Sequence, residues 1–179
     1  MKFLTFSQKQ LTQGSDYLGL KEAHILISIK NPDSNFEVPK TPYCKAVLSL
    51  DFIDTEEISV NNGCFTKDQA RQLLDFVNAH AHKANIIVCH CGAGVSRSIA
   101  VASALSKILN NEDDDVFNKG CPNILVYTTI LEEYFMENSA FNKWRGIQYL
   151  RNEALKGLVS PAIYKIHELK AKNKLKEVK

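Results

Sequence analysis

The run Ile86-Ile87-Val88-Cys89-His90-Cys91-Gly92-Ala93-Gly94-Val95-Ser96-Arg97-Ser98-Ile99-Ala100-Val101-Ala102-Ser103-Ala104-Leu105 changes character twice. It opens on a continuous apolar segment, the pattern of a strand covered on both faces. It closes on an apolar, alanine-rich segment that reads as a helix. Between them lies a glycine-rich turn. A strand, such a turn and a helix start gather several backbone N–H groups into one concavity, and the helix N-terminus adds partial positive charge. Cys91 stands at the strand end of this cradle and Arg97 at its helix end, with five residues between them. N–H donors and a cation favour the thiolate form of a cysteine. A guanidinium offers a planar fork matched to two oxygens of a phosphate. The residues therefore describe a nucleophile beneath a phosphate-shaped site. The plainer reading is a buried cysteine in a glycine turn beside an arginine at an ordinary helix start.

Working outward, residues 1–6 and 24–29 read as short strands, and 31–35 as a loop that continues through Pro39 and Pro42. Residues 45–52, rich in Val and Leu, make a third strand. Thr66-Lys67-Asp68-Gln69 has the form of a capping box. Behind it Ala70, Leu73, Leu74, Val77 and Ala81 recur at helical spacing. Residues 85–90 make the fourth strand and 97–109 the helix after it, ending in Asn110-Asn111. The acidic run Glu112-Asp113-Asp114-Asp115 reads as a solvated helix-end loop rather than a cation site, because nothing supplies further ligands. A last helix of this part begins near Asn123 and carries Leu125, Val126, Ile130, Leu131 and Tyr134. Strands alternating with helices predict an α/β fold with a mostly parallel central sheet flanked by helices. In such folds the site lies at the carboxyl ends of the strands, where Cys91 falls.

The chain has 179 residues, 45% hydrophobic and 23% charged, ordinary for a globular protein with one core and an appendage. No apolar stretch is long enough to span a bilayer, and the apolar segment within residues 1–9 is too short for a secretory signal. Five cysteines without disulfide-scaffold spacing suit a reducing compartment, so the expected location is cytoplasmic. Charge is unevenly placed. Residues 141–179 hold ten Lys/Arg and three Asp/Glu, a net of +7; residues 1–140 hold twelve and seventeen, a net of −5, which together give the overall +2. The expected organisation is a domain over 1–140 and a basic helical extension over 141–179. In the extension, Trp144, Ile147, Tyr149, Leu150 and Leu155 suggest a helix on the core, and Ser160-Pro161 starts another with the stripe Ile163, Ile166 and Leu169. Its lysines are either a solvated, fraying end or a docking surface for an acidic partner, nucleic acid or a membrane surface. The sequence carries no internal repeat, metal-ligand cluster or dinucleotide fingerprint.

The segment His90-Cys91-Gly92-Ala93-Gly94-Val95-Ser96-Arg97-Ser98 resembles the His-Cys-(five residues)-Arg-Ser/Thr signature of the cysteine-dependent protein tyrosine phosphatases. Its interior is most similar to the dual-specificity branch, and the likeness runs over roughly residues 20–137. A rhodanese-type sulfurtransferase loop usually spaces Cys and Arg by four residues. The resemblance implies that Cys91 is the nucleophile. It implies that Gly92, Ala93, Gly94, Val95, Ser96 and Arg97 bind phosphate, and that Ser98 helps the thiolate leave in the second step. His90 would brace the loop, and Asn123 of Pro122-Asn123 would brace it too or simply cap a helix. The family's general acid follows a strand of alternating apolar residues. Leu48, Leu50 and Phe52 alternate here and Asp54 continues their parity, so the acid falls on Asp54, with Asp51 on the other face as the alternative. Cys44, Cys64, Cys89 and Cys121 are structural, or one of them protects Cys91 by pairing. No metal and no cofactor is implied. Phosphoinositide phosphatases of this superfamily tend to carry basic residues in the loop interior, so its neutrality implies a single phosphate on a protein side chain. The lack of a Lys-Asn-Arg-Tyr-like segment implies a shallower pocket, open to phosphoserine and phosphothreonine as well as phosphotyrosine. The other readings are a phosphoprotein-binding regulatory module acting through the basic tail, and a phosphatase for a non-protein phosphate ester.

Overall fold

Strand β4, Ile86–Cys91, is buried at all six residues, as its continuous apolar sequence requires of a strand paired on both sides. The computed structural model describes residues 1–57 and 63–137. In it β1 (Lys2–Ser7), β2 (His24–Lys30), β3 (Cys44–Asp51) and β4 form one sheet of order β1-β4-β2-β3. Every pairing is parallel. The register sets Ser7 level with Cys91, and both Phe6 and Ser28 level with His90. The carboxyl ends of three strands thus meet around Cys91. At the edge, β3 alternates between exposed and more buried residues, and Leu48 and Leu50 face inward.

The helices are α1 (Gln8–Gln13), α2 (Ser15–Leu18), α3 (Lys67–His80), α4 (Arg97–Asn110), α5 (Asp114–Phe117) and α6 (Ile124–Glu137). Helix α3 starts at the expected box: Gln69 N–H donates to Thr66 Oγ1 at 3.3 Å, and Thr66 N–H to Gln69 Oε1 at 3.0 Å. Ala70, Leu73 and Val77 form its buried stripe. Helix α4 is buried without interruption from Arg97 to Ser106. It ends where Asn111 takes a left-handed conformation, φ 59°, a role that asparagine fills at low cost.

Leu11 and Tyr17 of the first two helices pack with Phe6, Leu26, Ile86 and Val88 on one face of the sheet. Side chains alternate along a strand, so Ile87, Cys89 and Cys91 point to the opposite face, where Cys91 meets Ser98 of α4.

Two expectations change. Helices α1 and α2 occupy a stretch in which the sequence announces no element. Nor is the acidic run wholly solvated. Asp113 is buried, bonded to Lys107 Nζ at 3.1 Å and to the Tyr127 hydroxyl, partners that offset the cost of burying a carboxylate. Among the described residues no helix is long and apolar enough to cross a membrane. The chain divides into two units, Met1–Ile130 and Leu131–Lys179. The basic extension 141–179, with both of its expected helices, lies outside the described residues.

Candidate active site

Cys91 is the last residue of β4. The Gly94 amide donates to its Sγ at 3.2 Å, and Ser98 Oγ, on the first turn of α4, lies 3.3 Å away. Backbone contacts fix the loop between them from two sides. Gly94 has φ +79°, and a Cβ there would sit 2.6 Å from Ser7 N and 2.8 Å from the Phe6 carbonyl carbon. Only glycine lets the loop lie this close to the end of β1. Gln8 N–H donates to Gly92 O at 3.2 Å, and Cys121 N–H to Val95 O at 2.9 Å. Gly120 is equally confined, since its Cβ would lie 2.6 Å from Val95 O.

Ser96 is the residue from which α4 starts, yet its side chain makes no capping bond. It donates instead to Asp54 Oδ1 at 2.8 Å. The first-turn N–H groups of α4 are therefore left without a side-chain cap beside the loop. That arrangement suits an anion.

Arg97 is 6% exposed. Its Nη1 donates to Phe52 O at 2.6 Å and to Asn31 Oδ1 at 2.8 Å, and the guanidinium lies over the Phe52 ring at 5.9 Å. Nε is 3.8 Å from Asp54 Oδ2 and has no hydrogen-bond partner. An unsatisfied buried donor on a cation is costly, and an oxyanion in the cradle would satisfy it.

Asp54 sits just past β3, with its side chain 40% exposed. Asn123 Nδ2 donates to Asp54 Oδ1 at 2.8 Å and to Thr55 O at 3.1 Å, while Asn123 Oδ1 accepts from Val126 N–H at 3.1 Å. Glu56 Oε1 accepts from Ile124 N–H at 3.0 Å. Asn123 thus caps α6 and, with the same carboxamide, grips the loop that carries Asp54. Of the two roles the sequence leaves open for Asn123, the structure has the helix cap; the backbone of Gly120 and Cys121 lies against the phosphate-shaped loop. Asp51 faces Lys30 at 3.8 Å, and its carbonyl accepts from Gln69.

Solved structures of similar fold include a human tyrosine phosphatase-like serine/threonine/tyrosine-interacting protein. Its TM-score is 0.55 at 16% identity, over 75% of this chain and 92% of that one. Human DUSP28 matches with a TM-score of 0.53 at 12% identity, over 73% and 90% of the two chains. A mouse putative dual specificity phosphatase, solved with zinc tungstate, matches with a TM-score of 0.53 at 12% identity, over 89% and 88%. The fold is that of the dual-specificity phosphatases. No family model matches the sequence, and no curated protein matches it either.

Within this phosphatase fold, His90 is buried. Its Nε2 shares a 2.8 Å hydrogen bond with Ser28 Oγ, and its ring packs on Phe36. Burial pushes its pKa down to about 4, and the charges of Arg97 and Lys30 reinforce this. A ring that is neutral at pH 7 ties β4 to β2. Cys44, Cys89, Cys91 and Cys121 form no disulfide. Burial pushes the Cys89 and Cys44 thiols up, away from reactivity. Sequence reasoning misses three contributors: Asn31, the Phe52 carbonyl, and Ser96 as a partner of Asp54. Asn31 precedes a proline and reads only as a turn residue, and carbonyl contacts leave no trace in side-chain pattern.

Proposed function

We propose that the protein is a phosphatase that hydrolyses phosphate monoesters through a cysteinyl-phosphate intermediate. The single observation that carries the reading is the pairing of Cys91 Sγ, which accepts from the Gly94 amide, with a buried Arg97 whose Nε makes no hydrogen bond. The phosphate is held by the loop amides of Gly92, Ala93, Gly94, Val95 and Ser96 and by the free edge of Arg97, whose charge stabilises the transition state. The Cys91 thiolate attacks phosphorus, and the bond to the ester oxygen breaks. The leaving oxygen takes a proton from Asp54. In the second step Asp54, now a carboxylate, takes a proton from water as the water oxygen attacks the phosphocysteine. The S–P bond breaks, and Ser98 donates a hydrogen bond to the departing thiolate. Inorganic phosphate leaves, with Asp54 again protonated. Charge stabilisation rests on Arg97 and backbone amides, so no metal enters the scheme.

The proposed substrates are phosphorylated protein side chains, tyrosine and also serine or threonine. A loop interior of Gly, Ala, Gly, Val and Ser matches one phosphate, and the loop bearing the acid adds the negative charge of Glu56. Both features disfavour a ligand with several phosphates. The test is hydrolysis of p-nitrophenyl phosphate and of phosphopeptides in EDTA, with Cys91→Ser as the control. Turnover by the native chain that vanishes in the variant is expected. Phosphopeptide binding without turnover by the native protein would favour a binding module, and turnover confined to small non-protein esters would overturn the substrate assignment.

A further inference from the structure

We propose that Asn31 is a positioning residue: its carboxamide oxygen fixes the rotation of the Arg97 guanidinium so that the Nε–Nη2 edge meets the phosphate. The inference rests on the phosphatase reading above and adds a residue to its machinery. A guanidinium carries five N–H donors in a rigid plane. The two on Nη1 are matched by two acceptors from different loops, Asn31 Oδ1 after β2 and Phe52 O after β3. Three donors remain, one on Nε and two on Nη2. Nε makes no hydrogen bond, Asp54 Oδ2 standing off at 3.8 Å, and Nη2 lies 3.7 Å from where a Cβ on Gly92 would stand, which turns this edge toward the loop.

Asn31 does not spend its side chain on its own turn. Ser34 N–H closes that turn on the Asn31 carbonyl at 2.9 Å, with Pro32 at the second position, where a fixed φ suits it. The carboxamide instead reaches a residue 66 positions away in the chain. Its neutrality matters as well. An amide oxygen accepts a hydrogen bond without adding a second negative charge to that of Asp54, 3.8 Å from Nε; a carboxylate in its place would compete further with a phosphate dianion for the charge of Arg97.

The test compares Asn31→Ala and Asn31→Asp in the full chain. The readouts are kcat and KM on p-nitrophenyl phosphate, calorimetric binding of inorganic phosphate at pH 6 and pH 8, and thermal melting. Asn31→Ala is expected to lower kcat about tenfold and weaken phosphate binding several-fold, because a misaligned group loses more in the transition state than in the ground state, with the melting midpoint little changed. Asn31→Asp keeps the acceptor, so it should recover much of kcat relative to Asn31→Ala. Its phosphate binding should weaken more at pH 8, where the dianion dominates, than at pH 6. Values for Asn31→Ala within twofold of native would overturn the proposal. So would equal losses in both variants that track a lowered melting midpoint and ignore pH. Turnover retained by Cys91→Ser would sink the underlying phosphatase reading instead, and phosphate binding reports on Arg97 even then.

Discussion

Helices α3 and α4 each run for fourteen residues, and they begin by opposite rules. At Thr66 the hydroxyl and the Gln69 carboxamide close on the helix's own amides. At Ser96 the hydroxyl reaches away to Asp54 and the first-turn amides go uncapped. A missing side-chain cap costs about 1 kcal/mol. Helix α4 offsets this by burying every residue from Arg97 to Ser106, which contributes about 1.5–3 kcal/mol for each large aliphatic side chain. A helix that only holds the fold together follows local rules. The helix that faces the site breaks one of them and keeps its donors free, a departure of the kind expected where function is located.

The comparison can be pushed hardest at the far end of the Ser96 bond. Asp54→Asn should slow hydrolysis of alkyl and phenyl phosphates by about 10²-fold or more. It should affect esters with a good leaving group much less and leave phosphate binding in place; a uniform loss across leaving groups would remove Asp54 from the role of acid.

Next in size is the acid sensitivity stored beneath the loop. The pKa of His90 is about 4 when folded and ordinarily about 6.5 when unfolded. Between those values the unfolded chain holds a proton that the native chain lacks, so stability is full above about pH 6.5 and falls as pH drops toward 4. The loss amounts to about 3 kcal/mol. Denaturant titrations at pH 7.5, 6 and 5 should show this slope in the native chain and a flatter one in His90→Gln. Equal slopes would place the acid sensitivity elsewhere.

The smallest effects separate the two helix starts directly. Thr66→Ala should lower stability by about 1 kcal/mol and leave kcat unchanged. Ser96→Ala should do the reverse, lowering kcat on poor leaving groups several-fold with little change in melting. If the two variants behave alike, the contrast between the caps carries no functional meaning.

Much of the fold is legible in the sequence. All four strands, the box at Thr66 and the stop at Asn110-Asn111 follow from periodicity and cap chemistry, because each is decided within a few residues. Helices α1 and α2 are not legible, since they are too short to form on propensity and depend on burying Leu11 and Tyr17 against the sheet. At the site, the parity of Leu48, Leu50, Phe52 and Asp54 brings the Asp54 side chain to Ser96, Asn123 and Arg97. The contacts of Asn31 and Asn123 span 66 and 69 positions. Such contacts follow from how the strand ends converge, and no local pattern encodes that. Asp113 is the same lesson in reverse: an acidic run looks solvated until Lys107 and Tyr127 are brought to it.

The central claim is that phosphorus passes through Cys91, and trapping that intermediate tests it most directly. Ser98→Ala removes the hydroxyl 3.3 Å from Sγ and should slow breakdown of the phosphocysteine more than its formation. Acid-quenched intact mass and peptide mapping during turnover of an aryl phosphate should find one added phosphoryl group, on Cys91, absent from the Cys91→Ser, Ser98→Ala double variant. Steady turnover with no phosphorylated protein, or with the group on any other residue, would contradict the account.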